Sequence, residues 1–139
     1  MRVVNIGFAG AGGIAKAHVY ALQALKFYYE EVPEIRLISV TSAREESRQD
    51  FARKYGFEGS ETSEDFFRNP AIDTVFILGP NNTHFDHFRQ AMAMPGVQRV
   101  YLEKPVCASR EEEQAMAELA AGTEKSVQVG FQYLMTPSV

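Results

Sequence analysis

Apolar and polar residues fall along this chain in blocks rather than alternating one by one. Apolar runs occupy 3–9 ("VVNIGFA"), 35–40 ("IRLISV"), 73–78 ("DTVFIL"), 98–103 ("QRVYLE") and 126–131 ("SVQVGF"). Between them lie helical patterns: an Ala-rich segment over about 13–27, charged segments over about 44–55 and 109–121, a short one at "SEDFF", and another over about 83–93. Strands that are apolar throughout are buried on both faces, which requires a parallel sheet covered by helices. The alternation predicts an α/β protein: a doubly wound fold, mainly parallel, with helices on both faces and strand order 3-2-1-4-5-6.

Local signals sharpen some boundaries. Ser109 followed by Glu111, Glu112 and Glu113 has the form of a capping box, with acids placed where the helix dipole favours them. Ser63 before Glu64 and Asp65 repeats this on a smaller scale. The aromatic segment "KFYYEEVPE" (26–34) is expected to prolong the first helix until Pro33 stops it.

Composition narrows the function. The chain has 139 residues, suited to one domain, with 45% hydrophobic and 23% charged residues. A net charge of -4 offers no basic field for nucleic acid or anionic lipid. The opening residues resemble neither a signal peptide nor a membrane span, so a cytoplasmic protein without membrane association is expected. The lone Cys107 can make neither an internal disulfide nor a Cys-based metal site. No metal site is expected. His18 on the first helix and His87 in the first turn of a later one read as ordinary polar helix residues, His18 with no acidic partner implied.

The first apolar run leads into "GFAGAGGIA", where Gly10, Gly12 and Ala15 satisfy G-x-G-x-x-G/A. Gly10 permits a tight turn, Gly12 lets the backbone approach a pyrophosphate, and Ala15 is small enough for close helix-strand contact. The helix start at Gly13 and Ile14 then presents backbone N–H groups to an anion. A strand before the loop and a helix after it make this a dinucleotide site. An S-adenosylmethionine site is the competitor, but it too tends to need an acid at the end of the second strand.

That acid is missing. No Asp or Glu occurs between Glu34 and Glu45, and the second strand instead runs into Thr41, Ser42 and Arg44. Ser42 can hydrogen-bond a ribose 2′-phosphate and Arg44 can add charge-assisted bonds to it, so NADP is the expected cofactor, with NAD possible. A second reading has Ser42 capping the helix that starts near Arg44, and the two are compatible.

Two further loops lie beyond strand ends: "LGPNNTH" (78–84) and "EKP" (103–105). Ligands of open α/β sheets bind at that edge. With "GFAGAGGIA", "PNNTH" and "EKP" in this order, essentially the whole chain resembles the N-terminal Rossmann domain of the glucose-fructose oxidoreductase / inositol dehydrogenase / MocA family. The resemblance implies hydride transfer between a nicotinamide dinucleotide and a sugar, polyol or related carbonyl compound. It makes Lys104 the catalytic lysine beside the nicotinamide, with Glu103 helping to hold that side and Pro105 shaping the loop, commonly through a cis bond. It places Leu78, Pro80, Asn81 and His84 along the cofactor.

Two departures from the family stand out. Leu134 occupies a position where the family often carries an arginine. Residues 1–139 are expected to be the NAD(P)-binding domain alone, lacking the family's C-terminal substrate and oligomerisation domain. Such a fragment is expected to bind cofactor but turn over weakly, with homo-oligomers formed by the full-length protein. The alternative is a nucleotide-responsive regulatory module without catalysis.

Overall fold

The five apolar runs become strands, and a sixth strand joins them in a computed structural model that describes residues 2–135 and 137. In order, the elements are β1 (Val3–Ala9), α1 (Gly13–Tyr28), β2 (Glu34–Thr41), α2 (Glu45–Tyr55), β3 (Gly59–Glu61) and α3 (Ser63–Phe66). There follow β4 (Thr74–Ile77), a 3-10 turn (Asn81–Thr83), α4 (His84–Ala93), β5 (Arg99–Glu103), α5 (Arg110–Ala121), β6 (Ser126–Gly130) and a second 3-10 turn (Gln132–Met135). The six strands form one sheet in the order β3-β2-β1-β4-β5-β6, and every pairing is parallel. All six carboxyl ends therefore lie on one edge, and the strand order reverses between β1 and β4.

Alternation along the strands sorts the core into two layers. Ile6 and Phe8 of β1 pack with Val19 of α1 and Phe51 of α2 on one face. Val75 and Ile77 of β4 and Leu102 of β5 pack with Phe66, Phe88 and Met116 of α3, α4 and α5 on the other. In β2 the pairing shifts register between Ile6 and Gly7, placing one extra residue opposite β1. That extra residue changes the phase of the strand. Ile35, Leu37 and Val40 consequently share the face of α1 and α2.

Three expectations are corrected at the element ends. α1 stops at Tyr28, well before Pro33, with Tyr29 closing it through an N–H bond to Leu25 O at 3.0 Å. Two acids, Glu30 and Glu31, would otherwise sit at the negative end of the helix dipole. The cap of α3 is Thr62 rather than Ser63, its side chain accepting the Asp65 N–H at 3.3 Å. At α5 the expected box forms with one bond displaced: Ser109 Oγ accepts from Glu112 N–H, while Glu112 Oε2 accepts from Ala108 N–H instead of from the cap residue.

At the opposite edge of the sheet from the carboxyl ends, Asp73 ties three strands together. It accepts from Asn5 N and Nδ2 at 3.1 and 3.2 Å and from Arg99 Nη1 at 2.9 Å. No helix among the described residues is long and apolar enough to cross a membrane. At the chain's apolar end Phe131, Leu134 and Met135 are exposed, while the side chain of Tyr133 lies outside the described residues.

Candidate functional site

The turn after β1 is determined by backbone geometry. Gly10 has φ +135°, and its N–H donates to Thr41 O at 2.9 Å, locking the loop to the end of β2. A Cβ on Gly10 would lie 2.5 Å from the Leu78 carbonyl carbon and 2.6 Å from Gly79 N. Only glycine satisfies both the dihedral and the approach. Gly12 is the N-cap of α1, with φ −92° and open space around the position of a Cβ. α1 has no side-chain cap and no acid in its first turn, so the orphan N–H groups beyond Gly12 remain available to a ligand. Ala15 is fully buried, as its place in the motif requires.

A cleft of ≈ 480 Å³ opens at this point, within the range of small-molecule and cofactor sites. Six residues expected from the sequence line it: Gly10, Gly12, Thr41, Ser42, Arg44 and Pro80. Its lining contains hydroxyls and a guanidinium but no Asp or Glu. Thr41 is 2% exposed and its Oγ1 has no hydrogen-bond partner among the described residues. A buried hydroxyl left unpaired is a group that a ligand can satisfy.

Ser42 does not cap a helix. α2 begins at Glu45, its N-cap is Arg44, and no side chain caps it. The Ser42 hydroxyl donates to Arg44 O at 3.1 Å, whereas a cap would accept from an N–H. Arg48, one turn into α2, donates from Nη1 to Ser42 O at 3.3 Å and so braces the same turn.

Other expected residues reach this edge of the sheet without lining the cleft: Gly13, Ile14, Leu78, Asn81, His84, Glu103 and Lys104. Leu78 is buried behind Gly10. His84 is 1% exposed, with Nδ1 2.6 Å from Pro105 O and Nε2 2.9 Å from Gly79 O. It stands at the start of α4, as a clasp between the loops that follow β4 and β5. Glu103 is likewise buried, and its carboxylate is engaged within the fold. Oε2 accepts from Lys104 N–H at 2.9 Å, and Oε1 stands 3.1 Å from His18 Nε2 and 3.4 Å from Tyr101 OH. Burial, reinforced by the Glu103 charge and hydrogen bond, pushes the Tyr101 phenol up to about 12. Lys104 and Pro105 are exposed at the end of β5, and the bond joining them is cis.

His18 is thereby corrected: it has an acidic partner, Glu103, 85 residues along the chain, and packs edge-on against Phe76 and Tyr101. His87 is corrected too. It lines the cleft, its ring lies 5.4 Å from that of Phe67, and its buried Nδ1 has no partner among the described residues. Burial holds its pKa below the usual 6.5; the Asp86 charge opposes this and His84 adds to it. Ser47, Ser63 and Thr83, none expected at the site from the sequence, also line the wall. Only the turn of α2 and the entry to α3 and α4 aim them inward. Among the described residues no cluster of three or more His, Cys, Asp or Glu is placed to hold a metal ion. A second hollow of ≈ 380 Å³ lies among Leu22, Pro33 and Tyr55, away from the glycine loop.

Comparison with known proteins agrees with this arrangement. Residues 4–131 match the family described as "Oxidoreductase family, NAD-binding Rossmann fold". The chain is 30% identical to levoglucosan dehydrogenase of Pseudarthrobacter phenanthrenivorans over 100% of its own length and 36% of that protein's. It is 32% identical to scyllo-inositol 2-dehydrogenase (NAD(+)) of Bacillus subtilis, over 86% of this chain and 36% of the relative. The structure of levoglucosan dehydrogenase in complex with NADH superposes with a TM-score of 0.91 at 29% identity, covering 99% of this chain and 37% of that one. The chain thus spans about a third of the length of the relatives it matches. Six parallel strands, a glycine loop at the point where their order reverses, and a family match from Val4 to Phe131 lead to one assignment: the chain belongs to the Gfo/Idh/MocA oxidoreductase family, as its NAD-binding Rossmann domain.

Proposed function

We propose that these residues form the dinucleotide-binding domain of a dehydrogenase that prefers NADP to NAD and acts on a sugar, polyol or related carbonyl compound. One observation carries the cofactor preference: the wall at the end of β2 offers Thr41, Ser42 and Arg44 and no carboxylate. A ribose with free 2′ and 3′ hydroxyls is ordinarily held by an acid at this place, whereas a 2′-phosphate is repelled by one. The substrate class rests on relatives named as levoglucosan, glucose-6-phosphate and scyllo-inositol dehydrogenases.

The cleft suits a dinucleotide: Gly12 leaves room for close approach of a pyrophosphate, and the first turn of α1 offers N–H donors to it. Ser42 and Arg44 would hold the 2′-phosphate, and Pro80 would line the path between the ends. Such a cofactor, when bound, supplies the hydride acceptor or donor. Lys104 would stand with its Nζ by the reacting oxygen, stabilising the negative charge that develops there and holding or releasing a proton at that nitrogen. Glu103 would act indirectly, fixing the Lys104 backbone N–H.

Calorimetric titration with NADPH and NADH tests the cofactor preference. NADPH should bind more tightly, and Arg44→Ala should erode the difference. Equal affinities, or tighter binding of NADH, would remove the argument from Ser42 and Arg44.

A further inference from the structure

We infer that Arg48, which no motif marks, is a specificity-determining residue for the phosphate-bearing end of the cofactor; this rests on the NADP reading above. Its guanidinium bridges α2 and the turn it follows, donating to Ser42 O at 3.3 Å. The contact fixes the carbonyl next to the hydroxyl that would meet the phosphate, and it uses one of the five donors of the guanidinium fork. Ser47, its neighbour on α2, lines the cleft, whereas Arg48 does not and bears on it through the turn at Ser42.

The charge pattern supports the assignment. Arg36, Arg53, Arg68, Arg89 and Arg99 are each paired with a carboxylate. Arg44 and Arg48, like Arg2 and Arg110, have no such pairing among the described residues, but these two stand four apart at the amino end of a helix. Like charges at that spacing repel, and the positive end of the helix dipole adds to the repulsion. Glu45 and Glu46 share the first turn, but neither lines the cleft, and Glu45 is engaged by Gln49 Nε2 at 2.9 Å. A dianion against the turn relieves the repulsion directly. A separate observation concerns the same wall: Thr41, almost wholly buried beside this turn, has a hydroxyl without a partner among the described residues.

The test uses the full chain and two probes without nicotinamide: adenosine 2′,5′-bisphosphate and 5′-AMP, titrated calorimetrically. The unsubstituted chain should bind the bisphosphate at least about tenfold more tightly, equivalent to ~1.4 kcal/mol. Arg48→Gln should abolish most of that ratio while leaving 5′-AMP affinity within about twofold, and Arg48→Lys, which keeps the charge but loses the fork, should restore part of it. Circular dichroism establishes that each variant is folded. Equal losses for both probes would reduce Arg48 to a structural role and overturn the inference, as would an unchanged ratio in Arg48→Gln. If the unsubstituted chain shows no ratio at all, the NADP reading itself has failed, and Arg48 falls with it.

Discussion

Replacing Gly10 and Gly12 separately by alanine should split folding from ligand binding, because the two glycines serve different masters. At Gly10 an added methyl meets backbone atoms of Leu78 and Gly79 at 2.5 to 2.6 Å while the residue holds φ +135°. No side-chain rotation relieves a clash with backbone. Strain at a dihedral that L-residues avoid costs about 1–3 kcal/mol, and overpacking about 1–3 kcal/mol more. The sum, roughly 2–6 kcal/mol, corresponds to a loss of roughly 7–20 °C in Tm for a chain of this size. At Gly12 nothing lies within 4 Å of the new methyl and φ is an ordinary −92°. Alanine is a poorer N-cap than glycine by a few tenths to about 1 kcal/mol, and its stiffer unfolded chain returns about as much. Gly12→Ala should therefore melt within about 2 °C of the parent, yet lose NADPH affinity because the methyl occupies the approach to the pyrophosphate. Differential scanning calorimetry and titration calorimetry on the same samples decide the matter. Full NADPH affinity in Gly12→Ala, or an unshifted Tm in Gly10→Ala, would refute the reasoning.

Two further outcomes follow from titrating groups around the site. The folded state holds the Tyr101 proton from 10.0 to about 12, where the unfolded chain has lost it, so the associated stability is present below pH 10.0 and vanishes as pH rises through about 12. Tyr101→Phe should flatten that alkaline loss in urea melts, and 295 nm absorbance should show one fewer late-ionising phenol. His87 is perturbed in the opposite direction: its folded pKa lies below 6.5, so stability is present above pH 6.5 and declines as pH falls through the folded value. His87→Gln should remove this acid-side decline, and an unchanged pH profile would show that the imidazole is not desolvated.

Much of the architecture was legible because doubly buried strands advertise themselves: β1, β4 and β5 are apolar runs whose limits the structure moves by a residue or so. β3 was not located, since an edge strand of Gly59, Ser60 and Glu61 pairs on one side only and needs no apolar pattern. The glycine loop could be read residue by residue, as its constraints are local. The pairing of His18 with Glu103 could not, because it depends on α1 crossing the sheet above β5. Nor could the inward aim of His87, which is set by the rotation of α4 about its axis. The contacts of His84 with Gly79 O and Pro105 O likewise depend on how the loops after β4 and β5 come together, which no local pattern records.

That clasp has a thermodynamic meaning. The His84 ring joins the loop after β4 to the loop bearing Lys104, with a backbone carbonyl at each of its nitrogens. Changes on the two loops are coupled through that ring, and their energies will not sum. The turn holding Ser42, Arg44 and Arg48 is joined to the glycine loop by the bond from Gly10 to Thr41, and Gly10 in turn packs against Leu78 and Gly79. Ser42, Arg44 and Arg48 form a hydrogen-bonded set of their own, so changes within that turn are coupled among themselves as well.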